Sequence, residues 1–381
     1  MRVLLWHWGR RGGGPRYTFE LARALARLPG MEVHLSLSRQ SELFAITEAL
    51  GLPGWHVHTY RGLLGMLMTT PRLPGLRRGF GRYLREARID VVLCTMPHLW
   101  NPAIAGAIAR AGSRYVLTVH DAEPHPGEVN ALREAAGRHD IRLADHLLTL
   151  SDHVKTGLVR RHGLDPAAIS VVPHGVFDYA TPELKPAPAS ASGSAYGGPI
   201  RLLFFGRLLP YKGLSLLRET ALVLRERGVD FRLTIAGQGH DPALAALARM
   251  PEVTLDQRWI DEAEIGALLA HHDVLVQPYV EASQSGVLPT ALAAGLPAVV
   301  TPVGGLVEQV QHGRSGLVAS AVTAAAMADC IGRLAAHPSL RQQLCAGARV
   351  LAAGPLSWEA LAPRIADMLR GACIDTTRSV R

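Results

Sequence analysis

Short β-rich runs alternate with helical stretches along this chain, break once at a Pro/Ala/Ser/Gly tract, and then begin again. Residues 2–6 read as a strand, 17–28 as a helix and 32–36 as the next strand, with further strands at 90–94, 115–119 and 146–150. Parallel strands need a helical crossover to bring the chain back to the same end, so this alternation predicts a parallel, doubly wound sheet. The tract Lys185-Pro-Ala-Pro-Ala-Ser-Ala-Ser-Gly-Ser194 cannot bury a core and reads as a linker. Beyond it the pattern restarts, with strands at 200–205, 231–235, 253–255, 274–276 and 298–300. The sequence thus predicts an N-terminal domain over 1–180, a linker over 181–199 and a C-terminal domain over 200–357. A closing helix near 358–370 could return to the first domain, and a frayed tail follows from 373 to 381. The expected class is α/β, with two doubly wound domains facing across a cleft.

At 381 residues the chain is too long for one core, and 48% hydrophobic with 19% charged residues describes a globular protein. No apolar run reaches the ~18–20 residues that span a bilayer. The first residues form a strand rather than the sections of a signal peptide. The four cysteines are scattered without metal-ligand spacing, which fits a reducing cytoplasm. A net charge of +8 allows acidic partners, but no finger, basic zipper or RNA-reading motif accompanies it, so nucleic acid is not expected. Anionic small molecules and anionic membrane surfaces remain.

The chemistry-bearing residues cluster after predicted strands, where ligands of open α/β sheets bind. Glu281-Ala-Ser283-Gln284-Ser285-Gly286 follows a buried run and precedes an Ala/Leu-rich helix expected from Pro289 to Ala294. It offers a carboxylate, two hydroxyls, an amide and a glycine. Gly206-Arg207-Leu-Leu-Pro-Tyr-Lys212-Gly213 places two cations on one loop, able to clamp a diphosphate. Gly12-Gly13-Gly14-Pro15 lets backbone amides converge on a phosphate or sugar, but it is neither a dinucleotide fingerprint nor a P-loop. His120-Asp121-Ala-Glu123-Pro-His125 reads as a histidine-bearing loop rather than a metal site, because no second cluster completes one. Val172-Pro-His174-Gly175 is a further turn, and His271, His272 and Asp273 read as a helix end.

Gly206-Arg207…Lys212-Gly213, Ala236-Gly237-Gln-Gly239, Glu281-Ala-Ser-Gln-Ser-Gly286…Ala294-Gly-Leu-Pro297 and Val303-Gly-Gly305…Glu308 occur in order. With the early glycine loop, His120-Asp121 and Pro173-His-Gly175, they resemble the family-4 retaining glycosyltransferases of the GT-B fold over nearly the whole chain. That resemblance implies a UDP- or GDP-linked sugar donor held mainly by the C-terminal domain, a glycan or lipid-linked saccharide acceptor, and no metal ion. It implies that Arg207 and Lys212 hold the diphosphate and that His120 and Glu281 lie near the transferred sugar. Gly12, Gly13, Gly14, Gly237, Ser283, Gln284, Ser285, Gly286, Val287 and Glu308 would then contact the donor. It also implies front-face displacement with retention, in surface polysaccharide biosynthesis.

One departure concerns the family's two glutamates eight positions apart. Counting back from Gly295-Leu-Pro297 puts them at Ala282 and Thr290, so Glu281 is one residue out of register. Glu281 keeps the sugar-facing role in this reading, and ribose falls to Glu308, Thr290 or backbone. Two alternatives stay open: a sugar-nucleotide epimerase, which shares the fold, and a non-catalytic donor-binding subunit, which the missing glutamate makes plausible. Separately, Leu76, Phe80 and Leu84 recur at helical spacing among Arg77, Arg78, Arg82 and Arg85. This stripe either packs on its own sheet or lies on anionic lipid, giving a cytoplasmic protein peripheral to the membrane.

Overall fold

The structure, a computed structural model, describes residues 1–123, 131–177, 179 and 198–374 of the chain. The expected linker tract at 185–194, His125 and the tail from 375 lie outside the described residues. The chain divides into two compact units, one from Met1 to Gly175 that includes the stretch from Trp358, the other Val176–Ser357.

The first unit is built on β1 (Arg2–His7), β2 (Glu32–Leu37), β3 (Val91–Cys94), β4 (Arg114–Val119), β5 (His146–Thr149) and β6 (Ile169–Val171). All pair in parallel, in the order β2-β1-β3-β4-β5-β6. Helices cover both faces, so the inner strands are continuous apolar runs rather than alternating ones. Trp6, Trp8 and Phe80 meet at ring distances of 5.2 to 6.1 Å and anchor the helix Leu73–Glu86 through Phe80. A polar knot lies in the same interior. The carboxylate of Asp140 accepts from the Tyr115 hydroxyl at 2.8 Å and the Asn101 amide at 3.2 Å. Burial pushes the Asp140 pKa up to about 6. The helix Trp358–Ile374 belongs to this unit: Trp358 packs 5.3 Å from Tyr17 and covers Gly175, where any Cβ would strike the indole.

The second unit carries β7 (Ile200–Phe205), β8 (Phe231–Ala236), β9 (Val253–Asp256), β10 (Val274–Gln277), β11 (Ala298–Val300) and β12 (Gly316–Val318). These are parallel in the order β12-β11-β10-β7-β8-β9. Asp273 ties β10 to β7 by accepting the Arg201 backbone N–H and its guanidinium, each at 2.8 Å. His271 and His272 finish the preceding helix as expected, their Nδ1–H groups bonding the carbonyls of Ala267 and Leu268.

In each sheet the chain winds outward in both directions from its first strand, leaving a switch point between β1 and β3 and another between β7 and β10. Loops diverge there, and room for a ligand opens outside the carboxyl ends. The ten expected strands are present within a residue or two; β6 and β12, three-residue edge strands, were not foreseen. The helix expected at 17–28 is Gly13–Leu25 instead.

Candidate active site

The second unit gathers its candidate residues around the β7/β10 switch point. The backbone leaves β7 at Gly206 (φ 138°) and leaves β8 at Gly237 (φ 146°). These turns lie back to back: a Cβ on Gly237 would fall 1.8 Å from the Gly206 carbonyl, and Leu208 N–H donates to the Gln238 carbonyl at 2.9 Å. Only glycine permits that approach. The Arg207 loop ends at Gly213 (φ 74°), where a Cβ would meet the Pro278 carbonyl, also at 1.8 Å. Val280 N–H donates to the Tyr211 carbonyl at 3.0 Å, so the Arg207–Gly213 and Pro278–Gly286 loops are held as one piece.

Two tyrosines that the sequence reading passed over form a shelf inside that piece. Tyr211 and Tyr279 are buried, their rings 6.4 Å apart at 75°. The Lys212 ammonium sits 3.8 Å from the Tyr279 ring centroid and 4.8 Å from that of Tyr211. Arg207 donates to the Tyr211 hydroxyl at 3.0 Å. The electron-rich ring faces and the hydroxyl therefore steady both cations. Burial pushes the Tyr279 hydroxyl up to about 12, so it stays neutral.

The Glu281–Gly286 loop is clamped from beneath. Gln309 accepts from Ser285 N–H at 2.8 Å and donates to the Ser285 carbonyl at 2.9 Å, while Gln277 donates to the Ser285 hydroxyl at 2.9 Å. Ser283 and Ser285 are buried by this packing, and Glu281 is exposed at the loop's edge. The side-chain oxygens of Gln277 and Gln284 are buried without a hydrogen-bond partner among the described residues. Gly286 precedes the helix Val287–Ala293. Gly305 N–H donates to the Ala282 carbonyl at 3.1 Å, which brings the loop bearing exposed Glu308 alongside. Thr290 does not offer a ribose contact: its hydroxyl bonds the Gly286 carbonyl at 3.1 Å and it is 3% exposed. A helical threonine satisfies itself on the preceding turn when that carbonyl is in reach.

In the first unit the candidates lie at the β1/β3 switch point and beside it. Gly12 (φ 89°) makes the turn, and Gly13 and Gly14 already belong to the first turn of the helix. The Glu42 carboxylate accepts the Gly12 N–H at 2.8 Å, an anion on the glycine loop that sequence spacing did not reveal. His7 lies under the loop: a Cβ at Gly9 or Gly14 would come within 2.8 Å of its ring, so both positions exclude side chains. His120 follows β4 and bonds the Thr95 carbonyl through Nε2 at 2.8 Å. A carbonyl can only accept, so Nε2 carries the proton, and burial favours the neutral ring. Nδ1 is then left as an acceptor. His174 is buried against Tyr17 at 5.5 Å, with its pKa lowered by burial to about 4. Among the described residues no group of three His, Cys, Asp or Glu side chains is placed to hold a metal ion.

A fixed pair of cations beside a carboxylate-bearing loop, at the switch point of a doubly wound sheet, is an arrangement suited to a phosphorylated ligand. Residues 11–178 match the family described as Glycosyltransferase Family 4, and residues 199–337 match Glycosyl transferases group 1. The chain belongs to the glycosyltransferases of the GT-B fold. It is 30% identical to a D-inositol 3-phosphate glycosyltransferase of Pseudarthrobacter chlorophenolicus, over 90% of this chain and 87% of that protein. It is 28% identical to a glycogen synthase of Mycobacterium tuberculosis, over 60% of this chain and 54% of the other. The Anabaena Alr3699/HepE protein, solved with UDP and glucose, shares the fold with a TM-score of 0.73 at 16% identity, over 97% and 99% of the two chains.

Proposed function

We propose that this enzyme moves a hexose-type sugar, with retention, from a UDP- or GDP-linked donor to a glycan or lipid-linked saccharide, in surface polysaccharide biosynthesis at the cytoplasmic side of a membrane. The observation that carries this reading is the rigid union of the Arg207–Gly213 and Pro278–Gly286 loops, with Lys212 and Arg207 held by Tyr279 and Tyr211. Departure of a nucleoside diphosphate concentrates charge on the leaving phosphate oxygen. Cations already fixed beside that atom lower the barrier without reorganising during the reaction. In our reading they supply the charge that a metal would otherwise bring. Glu281 then accepts hydrogen bonds from sugar hydroxyls, and Glu308 is the candidate for the ribose now that Thr290 is occupied. The UDP and glucose in the Anabaena neighbour support a donor of this class.

The test is a panel of UDP-, GDP- and ADP-linked sugars with purified protein, following nucleoside diphosphate release with and without a saccharide acceptor, in EDTA and in Mg²⁺. Acceptor-dependent release that persists in EDTA, with product of unchanged anomeric configuration by NMR, is the expected result. Release of a rearranged free sugar would identify an epimerase. Donor binding without turnover would identify a non-catalytic subunit, and full loss in EDTA restored by Mg²⁺ would refute metal independence.

A further inference from the structure

The helix Gly62–Thr69, the short turn Thr70–Arg72 and the helix Leu73–Glu86 form one continuous stretch of the first unit. The stripe of Leu76, Phe80 and Leu84 is not open to lipid, because Phe80 and Leu84 are buried in the core. The uncovered apolar surface lies one helix earlier. Leu64, Leu67 and Met68 are 78%, 67% and 79% exposed. They stand at i, i+3 and i+4 and so share one face of a helix that carries no charge. Three large apolar side chains this open on one face mark a surface meant to be covered.

Further along the same stretch, beginning at Leu73, a groove of about 920 Å³ opens between the helices Leu73–Glu86 and Asn101–Arg110. Arg77, Arg78, Arg82, Arg85 and Arg110 line it. Among the described residues none of the five forms an ion pair, although arginines elsewhere in the chain are routinely paired with carboxylates. Nε of Arg77 is buried with no hydrogen-bond partner. Five guanidinium groups brought together without an acid repel one another, and an arrangement of this kind is relieved by an anion. Their planar forks match phosphate oxygens in particular.

We propose that this surface docks the protein on an anionic lipid bilayer. The Leu64, Leu67 and Met68 face enters the boundary between headgroups and acyl chains, while the arginine groove takes phosphodiester headgroups. A bilayer is the occupant that uses both halves at once. A soluble phosphate or a nucleic acid would satisfy the arginines and leave the apolar face in water.

The experiment is co-sedimentation of the full chain with vesicles of phosphatidylcholine alone or mixed with phosphatidylglycerol, across a salt series. Two variants are compared, Leu64→Ser/Leu67→Ser/Met68→Ser and Arg78→Gln/Arg82→Gln/Arg85→Gln/Arg110→Gln, all changes at exposed positions. The wild type should bind the anionic vesicles at least about tenfold better than the neutral ones, and each variant should lose roughly tenfold or more. Melting temperature and vesicle-free donor turnover should stay unchanged, so failure of docking and failure of the transfer reading are distinguishable. Met68→Asp alone is a second probe that needs no multiple change. Equal binding to both vesicle types, or undiminished binding by either variant, would overturn the proposal. So would displacement by millimolar inorganic phosphate of all binding, or equally tight binding to a short DNA duplex that ignores the apolar triple change.

Discussion

Replacing Tyr279 tests whether the aromatic shelf, and not the mere presence of Lys212, sets the rate. With the ammonium 3.8 Å from one ring centroid and 4.8 Å from the other, and Lys212 partly buried, the Tyr279 face is worth about 1–2 kcal/mol in holding it. At about 1.4 kcal/mol per factor of ten, Tyr279→Leu should lower kcat by roughly 5–30-fold. Tyr279→Phe keeps the ring face and should stay within about twofold. Leucine also leaves space in the core, so the variant will be less stable, by about 2–3 kcal/mol. Turnover should therefore be measured at saturating donor well below the melting temperature. The decisive comparison is the double change Tyr279→Leu/Lys212→Ala. If the ring acts through the lysine, the double variant is no slower than Lys212→Ala, since partners in one interaction do not add. Additive losses, or a phenylalanine variant as slow as the leucine one, would refute the reasoning.

Arg207→Ala and Lys212→Ala should each cut turnover by about 10²–10³ while leaving the melting curve near wild type; near-normal turnover in both would remove the donor site from this loop. Glu281→Gln should slow transfer more than it weakens nucleoside diphosphate binding by calorimetry, because glutamine keeps the shape but gives weaker hydrogen bonds than a carboxylate. The opposite split would put Glu281 on the ribose. Asp140 predicts a pH dependence. Its raised pKa means the folded state holds the proton longer than the unfolded chain, so the contribution of Asp140 to stability is fully present below about 3.8 and is lost as pH rises through about 6. Of about 3 kcal/mol in all, most should vanish from the pH slope of unfolding in Asp140→Asn; an identical slope in the variant would show that Asp140 is ordinary.

What the sequence discloses here follows from the range of the forces involved. Buried parallel strands must be apolar on both faces, so ten of them stand out as runs, whereas the three-residue edge strands Ile169–Val171 and Gly316–Val318 are too short to carry a pattern. The cation and carboxylate loops are recognisable by residue type, since diphosphate chemistry needs those side chains at strand ends. Their supports are not: Gln309 lies 24 positions beyond Ser285 and meets it only once β10 and β11 have paired. Thr290 shows the converse, a hydroxyl whose type suits a sugar but whose place on a helix commits it to the carbonyl four residues back.

The two helices after Arg61 make the limit plainest. Leu64, Leu67 and Met68 stand at i, i+3 and i+4, and Leu76, Phe80 and Leu84 at i, i+4 and i+8, so each set falls on one face of a helix. Spacing cannot say what covers each face. Trp6, Trp8 and Trp55 close around Phe80, and these rings come from β1 and from loops far along the chain. Among the described residues no such partner covers the first face. An apolar stripe acquires its meaning from what the rest of the fold sets against it. Here Phe80 ties the basic segment to the core, which leaves Arg78, Arg82 and Arg85 exposed on the helix that follows the apolar face of Leu64, Leu67 and Met68.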